Sequence, residues 1–509
     1  MKKMKRFLSM FLACVLTAAL FAGCSGAASS STGDASKNDA SSAASDSGET
    51  AKLTYILPGN EPAELSRGVE AVNKKLAADG VGVELELKYF AWDVWDQKIN
   101  LMLSTGDDFD MFAVMNDRVT IANYASRNAL ADLTDIFSKY GENIIANCPE
   151  LAIKSGQVGG KQYGIPAFWV ESALDHQGLI RTDLLKKYGI DKVPTTWDEL
   201  TTAFQTVMAN WDGNQKPYLP LIGTSQVGGY FFNSDSNYVL YENMIYVNQD
   251  GTIKNYFETD TFKESCQKAR DWYLKGLINP DVLTVTSDQM NNQLNTGDWL
   301  VHAGTIGDIS SLKANYPDVT VDDFAWLDFD TETPEIRPYG TRNMQAVPAS
   351  SKNPEASVKF FNWLYSSQEN FDLFIYGEKG TDYNMISDTE YEAIVDETGA
   401  TKYSVATWLA GNISFEYLNA NAPTATNEHL YTTDKTAVDG IAALMTFDAS
   451  SVQTQVADVN TQISAVIAPM ACGAVDYDSN IENALNLLKT AGIDKIVAEF
   501  QAQYDASKK

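Results

Sequence analysis

Histidine is almost absent. The 509 residues hold three, His176, His302 and His429, far apart and in no paired spacing, which argues against a His-rich metal centre. Basic charge is also scarce: 38 Lys+Arg stand against 67 Asp+Glu, a formal net charge of −29. Nucleic-acid binding needs Lys/Arg patches to neutralise phosphate, so no nucleic-acid partner is expected. The five cysteines, Cys14, Cys24, Cys148, Cys266 and Cys472, form no CxxC and no regular spacing; they are not a disulfide framework. Catalytic signatures of the GxSxG, HExxH and Walker A types are missing. Asn233, Asp235 and Asn237 imitate the start of a calcium loop. Tyr238 and Met244 then stand where such a loop needs Gly and Glu. No metal and no cofactor are expected. A carboxylate pair for glycoside hydrolysis, set by a spatial separation of roughly 5–10 Å, stays open at this level.

What is present is enough to build large cores. Hydrophobic residues make up 44% of the chain, with 10 Trp, 24 Tyr and 22 Phe. At roughly 100–200 residues per domain, two or three domains are expected.

The N-terminus has the pattern of an export signal. Lys2, Lys3, Lys5 and Arg6 precede an apolar run from Phe7 to Ala22, too short for an ordinary spanning helix. It ends at Leu20-Phe21-Ala22-Gly23-Cys24, which resembles the lipobox of bacterial lipoproteins, with Phe21 where Leu is usual. That resemblance implies removal of residues 1–23 and a diacylglyceryl group on Cys24; the alternative is a plain signal containing a cysteine. Residues 24–51 are mostly Ser, Ala, Gly and Asp, a flexible tether unable to bury a core. The expected location is the extracytoplasmic face of a bacterial cell membrane, reached through the lipid. Loss of four basic and no acidic residues takes the net charge from −29 to −33, so lipid rather than charge would hold the body there.

The remainder reads as α/β. Leu53–Leu57 is a short apolar run stopped by Pro58-Gly59. Leu65, Val69, Val72 and Leu76 recur at helical spacing, ending near Gly80. Val81, Val83, Leu85, Leu87 and Tyr89 alternate with Gly82, Glu84, Glu86 and Lys88, a strand with one wet face. Trp95–Leu103 reads as a helix and Asp110–Val114 as a buried strand. This is the rhythm of βαβ units around a largely parallel sheet. Thr196 and Glu199 have capping-box spacing. Asn353-Pro354-Glu355 opens a helix, and residues 480–506 read as helical with a break at Gly492. The acidic stretch from Asp318 to Glu335 reads as a solvated loop.

Several patterns in order resemble the extracellular solute-binding proteins of carbohydrate ABC importers. They are Ile99–Gly106 followed by Phe109-Asp110-Met111; Lys161-Gln162-Tyr163-Gly164-Ile165-Pro166; Arg181–Tyr188 with Pro194–Leu200; Asn295–Trp299; and Val347–Glu355. Tyr376–Tyr383, Thr490-Ala491-Gly492 and Glu499–Gln503 resemble a subgroup whose C-terminal part is a domain of unknown function, although Glu378-Lys379 replaces a usual hydrophobic residue. The resemblance implies a two-lobed periplasmic-binding-protein-like fold with an interlobe hinge and a ligand cleft. Residues 52–165 plus 346–375 would form lobe one, and 166–345 plus 376–509 lobe two. The segment Lys161–Pro166 would lead into the first crossing between lobes and Val347–Glu355 would carry the return.

Sugars present hydroxyls and apolar C–H faces, so their sites combine aromatic platforms with amides and charged groups. In open α/β sheets such groups lie in loops after the strands. The candidates are Glu61, Trp92, Asn116, Trp169, Glu171, Tyr230, Phe231, Thr305, Arg342 and Asn343; Asn60, Asp93, Asp117 and Phe232 lie beside them. Each has a structural alternative. Glu61 can favour a helix dipole, Arg342 can form a surface salt bridge, and Tyr230–Phe232 can simply pack. Asp110 is a buried acceptor or a ligand contact. Trp95, Trp272 and Trp363 sit in helical patterns and belong to the core.

The expected function is therefore a lipid-anchored, monomeric, non-enzymatic receptor. It would capture a carbohydrate, in particular an oligosaccharide, and deliver it to ABC transporter permease subunits. The competing readings are a secreted, lipid-anchored glycan hydrolase and a receptor for a non-sugar solute such as a peptide.

Overall fold

The computed structural model describes residues 50–508 except 170–177, 224–234, 236, 330–332 and 398. The expected signal, Cys24 and most of the tether lie outside the described residues, as do Glu171, His176, Tyr230, Phe231 and Phe232.

The first sheet follows from the sequence periodicities. Strand β1 (Ala51–Pro58) leads to helix α1 (Leu65–Ala78), strand β2 (Val83–Phe90), helix α2 (Trp95–Thr105) and strand β3 (Met111–Met115). Val72 and Leu76 of α1 are fully buried, each worth roughly 1.5–3 kcal/mol. On β2, Val83, Leu85 and Leu87 are buried while Glu84, Glu86 and Lys88 are exposed. Helix α2 closes on Gly106, whose φ of 69° is the left-handed cap that favours glycine. β2, β1 and β3 pair in parallel. The sheet is completed by Asn343–Ala346, antiparallel to both β3 and Gly164–Ala167.

The second sheet, in the order Val301–His302, Gly178–Arg181, Phe324–Leu327, packs on Trp197–Asn210 and Asp260–Leu274. The strand Phe324–Leu327 corrects the reading of 318–335 as loop throughout. Phe324 and Leu327 are buried, and the strand pairs with Gly178–Arg181; the surrounding carboxylates masked a run of four residues. A further layer joins the hairpin sheet Tyr238–Tyr241, Ile245–Asn248 and Ile253–Asn255 to Gln453–Gln462, Ile481–Ala491 and Ile493–Ser507. The break at Gly492 is present, with φ at 104°. At Trp197–Asn210, Thr196 Oγ1 accepts from the Glu199 amide, but Glu199 Oε2 caps Thr195 instead of returning to Thr196. Cys148, Cys266 and Cys472 are buried thiols.

Residues 376–410 depart from the expected division. Tyr376, Tyr383, Tyr403, Val405, Leu409 and Ala410 are buried in the core of the first sheet. Arg67 of α1 pairs with Glu378 at 2.8 Å and also with Asp382. Gly68 lets the Tyr403 ring lie where a Cβ would come within 2.2 Å. The segment attaches through single side chains rather than a periodic face, so no pattern in the sequence announces it.

Three segments lead from the first sheet and the residues packed on it to the rest of the chain; the second of them starts at Ile336–Arg337, which pairs with Val438–Asp439. The first leaves Ala167 and enters Gly178. The second runs from Ile336–Arg337 to Asn343, ahead of the expected return at Val347–Glu355; Asn343–Ala346 already belongs to the first sheet. The third runs from Gly411 to Thr424. Tyr365 Oη donates to the Gly411 carbonyl in the first lobe, and the Thr424 amide donates to Val321 in the second. The three are tied together. The Ile413 amide donates to the Phe168 carbonyl at 2.8 Å, and Thr341 Oγ1 donates to the Ala167 carbonyl at 2.7 Å. Gly340 is required by close approach, since a Cβ there would lie 2.3 Å from Ser155 Oγ.

Candidate functional site

Strand register decides which side chains meet. Asn343 pairs with both Met115 and Ala167, and Pro58 pairs with Phe90. The loops after β1, β2, β3 and Ala167, and the residues just before Asn343, therefore share one edge of the first sheet. This edge gathers Glu61, Trp92, Asn116, Trp169, Arg342 and Asn343, six of the sequence candidates.

Their roles divide by burial. Trp92 is 40% exposed. Its ring stacks on Trp408 with centroids 5.9 Å apart and planes inclined by 18°. The Arg118 guanidinium lies 5.6 Å from the Trp92 ring. Gly59, at a φ of 121°, carries the chain past this ring. Glu61 is exposed, Trp169 half-buried. Arg342 sits 3.6 Å from Asp117 and 5.8 Å from the Tyr339 ring centroid.

Asn116 and Asn343 are buried and bonded to the protein, Asn343 through Nδ2 while its buried Oδ1 has no partner among the described residues. Asn116 Oδ1 accepts from the Ile121 amide at 3.1 Å, fixing the start of helix α3 (Ile121–Ser126). Asn343 Nδ2 donates to the Trp408 carbonyl at 2.7 Å. Beside it, Tyr55 Oη donates to Gln345 Oε1 and Gln345 Nε2 donates to the Leu409 carbonyl, both at 2.7 Å. These bonds hold Thr407–Ala410 against the sheet and so position Trp408. Asp110, buried at 4% exposure, accepts from the Thr54 amide, Ser351 Oγ and Asn353 Nδ2. Every one of these contacts is structural.

Across the crossings, His302 and Trp326 both pair with Leu179, one residue from where the first crossing enters the second sheet. Thr305 lies on the loop beyond His302. Burial pushes the His302 imidazole down to about 4, a hydrogen bond with the Thr305 backbone opposing it. Trp326 stacks on His429 with centroids 3.8 Å apart, and burial likewise lowers His429 to about 4. At neutral pH both imidazoles are uncharged.

Glu242 stands between the lobes in the turn from Tyr238–Tyr241 to Ile245–Asn248, with φ at 51°. With Asn116, Asp117, Tyr241, Tyr339 and Phe447 it lines a small cavity. Burial raises its carboxyl to about 7. A larger cleft of about 450 Å³ adjoins, bounded by Arg118, Arg127, Glu242 and Asn460.

Sequence reasoning missed Trp408, Arg118, Glu242 and Tyr339. Trp408 lies in a four-residue helix with no measurable periodicity, and no local signal points to its partner. Arg118 had a usable signal: it follows Asn116-Asp117 in the same post-strand loop. Among the described residues no group of three or more His, Cys, Asp and Glu could hold a metal ion, and no helix is long and apolar enough to cross a membrane.

Comparisons with known proteins agree with this architecture. Residues 61–370 match the family model described as bacterial extracellular solute-binding protein, and residues 442–509 match a domain of unknown function, DUF3502. A carbohydrate ABC transporter substrate-binding protein of Streptococcus pneumoniae serotype 4 is 25% identical over 91% of this chain and 92% of its own. Lipoprotein LipO of Bacillus subtilis is 23% identical over 60% of this chain and 57% of its own. The crystal structure of the N-glycan transport solute-binding protein of Streptococcus pneumoniae superposes with a TM-score of 0.71 at 21% identity, covering 89% of this chain and 98% of that one. The fold is the two-lobed solute-binding fold.

Proposed function

We propose, from the premise that this chain belongs to the bacterial extracellular solute-binding protein family, that it is a receptor rather than an enzyme. It captures an oligosaccharide in the interlobe cleft and delivers it to the permease subunits of an ABC importer. The observation that carries this reading is the exposed Trp92–Trp408 stack at the sheet edge, with Arg118, Arg342 and Asp117 around it. An aromatic face takes the C–H side of a sugar ring, and the charged groups bind its hydroxyls. The substrate class named for the pneumococcal relatives supports the assignment.

Glu61, Trp92, Trp169, Arg342 and Thr305 are the proposed ligand contacts, with Glu171, Tyr230 and Phe231 from the segments outside the described residues. Asn116 and Asn343 act as positioning residues. The first lobe comprises 52–167 and 343–417, and the second 178–342 and 418–508. Ligand bridging both lobes binds the closed form better and shifts the population toward it. The chain works as a monomer, held at the membrane by lipid on Cys24; the lipoprotein relative supports that anchor.

Calorimetric titration with a panel of oligosaccharides and peptides tests the reading. One-to-one saturable binding of a sugar without product is expected. Turnover of the glycan overturns the receptor role. Peptides alone raising the melting temperature overturn the sugar, since a ligand at 100 times its Kd adds about 2.7 kcal/mol.

A further inference from the structure

The domain of unknown function at residues 442–509 is not confined to the second lobe's core. Its leading residues reach the first lobe at α3. Thr120 Oγ1 donates to the Phe447 carbonyl at 2.9 Å, the Ala449 amide donates to Asn123 Oδ1 at 2.8 Å, and Ser126 Oγ donates to Asp448 at 3.2 Å. Beside this contact, Gln453–Gln462 stands across from α2 and α3 and leaves the cleft of about 450 Å³ between them. That volume lies within the ~300–1,000 Å³ range of small-molecule sites.

The lining has the chemistry of hydroxyl recognition. Asn100 and Asn123 come from the first lobe, Gln453 and Asn460 from the C-terminal domain. Amides both donate and accept, as sugar hydroxyls do; Asn100 bonds Asp96 and Arg127 and Asn123 Oδ1 takes the Ala449 amide, so the exposed Gln453 and Asn460 offer the fuller capacity. Two guanidiniums, Arg118 and Arg127, also line it. Arg118 is paired with Asp96 at 2.5 Å, and Arg127 lies 5.2 Å from the Tyr124 ring centroid with Glu242 on the same wall. Arg127 donates to the Asn123 carbonyl and to Asn100 Oδ1, so both guanidiniums are engaged by the protein, which suits an uncharged ligand better than an anionic one. The cleft is continuous with the sheet-edge site through Arg118, which borders it and also lies against Trp92.

We infer that the C-terminal domain forms one wall of an extension of the sugar cleft, which holds the distal residues of an uncharged oligosaccharide longer than a disaccharide. This rests on the oligosaccharide-receptor reading and deepens it. Gln453 and Asn460 are exposed side chains on the helix Gln453–Gln462, so changing them leaves the core alone.

The test compares the full chain with Asn460→Trp, which fills the extension, and with Gln453→Ala/Asn460→Ala. The probes are manno-, gluco-, galacto- and fructo-oligosaccharides from disaccharide to hexasaccharide, with a uronic-acid series as the charged arm. For the series that binds the unaltered chain, Asn460→Trp should weaken the longest member tenfold or more. The disaccharide should stay within twofold, and the double alanine variant should show a smaller loss in the same direction. Equal losses at every length, or none at any length, overturn the extension. A length-dependent loss confined to the uronic-acid series overturns the uncharged class. Absence of any oligosaccharide binding by the unaltered chain overturns the receptor reading itself, a result separable from the others before any variant is made.

Discussion

Trp92 and Trp408 lie face to face at the edge of the first sheet, 5.9 Å apart, although one follows β2 and the other sits in the helix Thr407–Ala410. A tryptophan left 40% exposed adds little to the fold and offers its area to a partner. Trp92→Ala and Trp169→Ala should each lower oligosaccharide affinity tenfold or more, about 1.4 kcal/mol. The unliganded melting temperature should stay close to that of the unaltered chain. Titration calorimetry with a paired thermal melt checks both; unchanged affinity removes that residue from the platform.

Asp110 gives the opposite profile. Its carboxylate holds three donors from β1 and the turn before Pro354–Leu364. Asp110→Ala leaves buried donors unmet and should cost about 1–3 kcal/mol of stability or more. Sugar affinity measured below the melting transition should be unaffected. A loss of affinity with stability intact would make Asp110 a ligand contact after all.

Glu242 gives the molecule a pH dependence. Burial raises its carboxyl from the ordinary 4.5 to about 7. Asp117, Arg118, Arg127, Tyr241 and Tyr339 share its two cavities from the surrounding elements. The folded form therefore holds a proton that the unfolded chain releases. Its contribution to stability is complete below about pH 4.5 and is lost as the pH rises through about 7. Between about pH 5 and 8 the unfolding free energy should fall relative to Glu242→Gln, no more steeply than ~1.4 kcal/mol per pH unit for one proton. Urea titrations of both proteins across that window decide it; parallel curves refute the effect.

The anchor is tested through Cys24. Produced in a bacterial host, the full chain should partition into a detergent phase and take up labelled fatty acid. Cys24→Ala should do neither while still binding sugar. Label retained by the variant would place the lipid elsewhere.

Much of the first lobe was legible because its elements have long, clean periods: the helical spacing of Leu65, Val72 and Leu76, and the two-residue alternation of β2. The candidate edge was legible for the same reason, since a strand's end predicts its loop. Trp408 was not. Its position depends on Asn343 and Gln345 holding a short helix from more than sixty residues away, a tertiary constraint with no local pattern. The packing of 376–410 on the first lobe failed for a related reason: Arg67 and Tyr403 fasten it through individual contacts. Asn116 and Asn343 stand at the edge where they were expected, and their amides bond to Ile121 and Trp408, which the sequence does not announce because a strand's register fixes a residue's height in the sheet but not which neighbour claims its amide.

The Ile413–Phe168 and Thr341–Ala167 hydrogen bonds tie three segments at the border of the first lobe, and under the proposed hinge they would act as a leaf spring. A single strap would let one lobe swivel on the other. Under the proposed hinge, segments tied by these bonds would resist torsion more than bending about one axis, so the jaws would meet in the same alignment at each closure. The same stiffness tells an experimenter where to attach paired distance labels: across the bend, where one coordinate reports the whole motion.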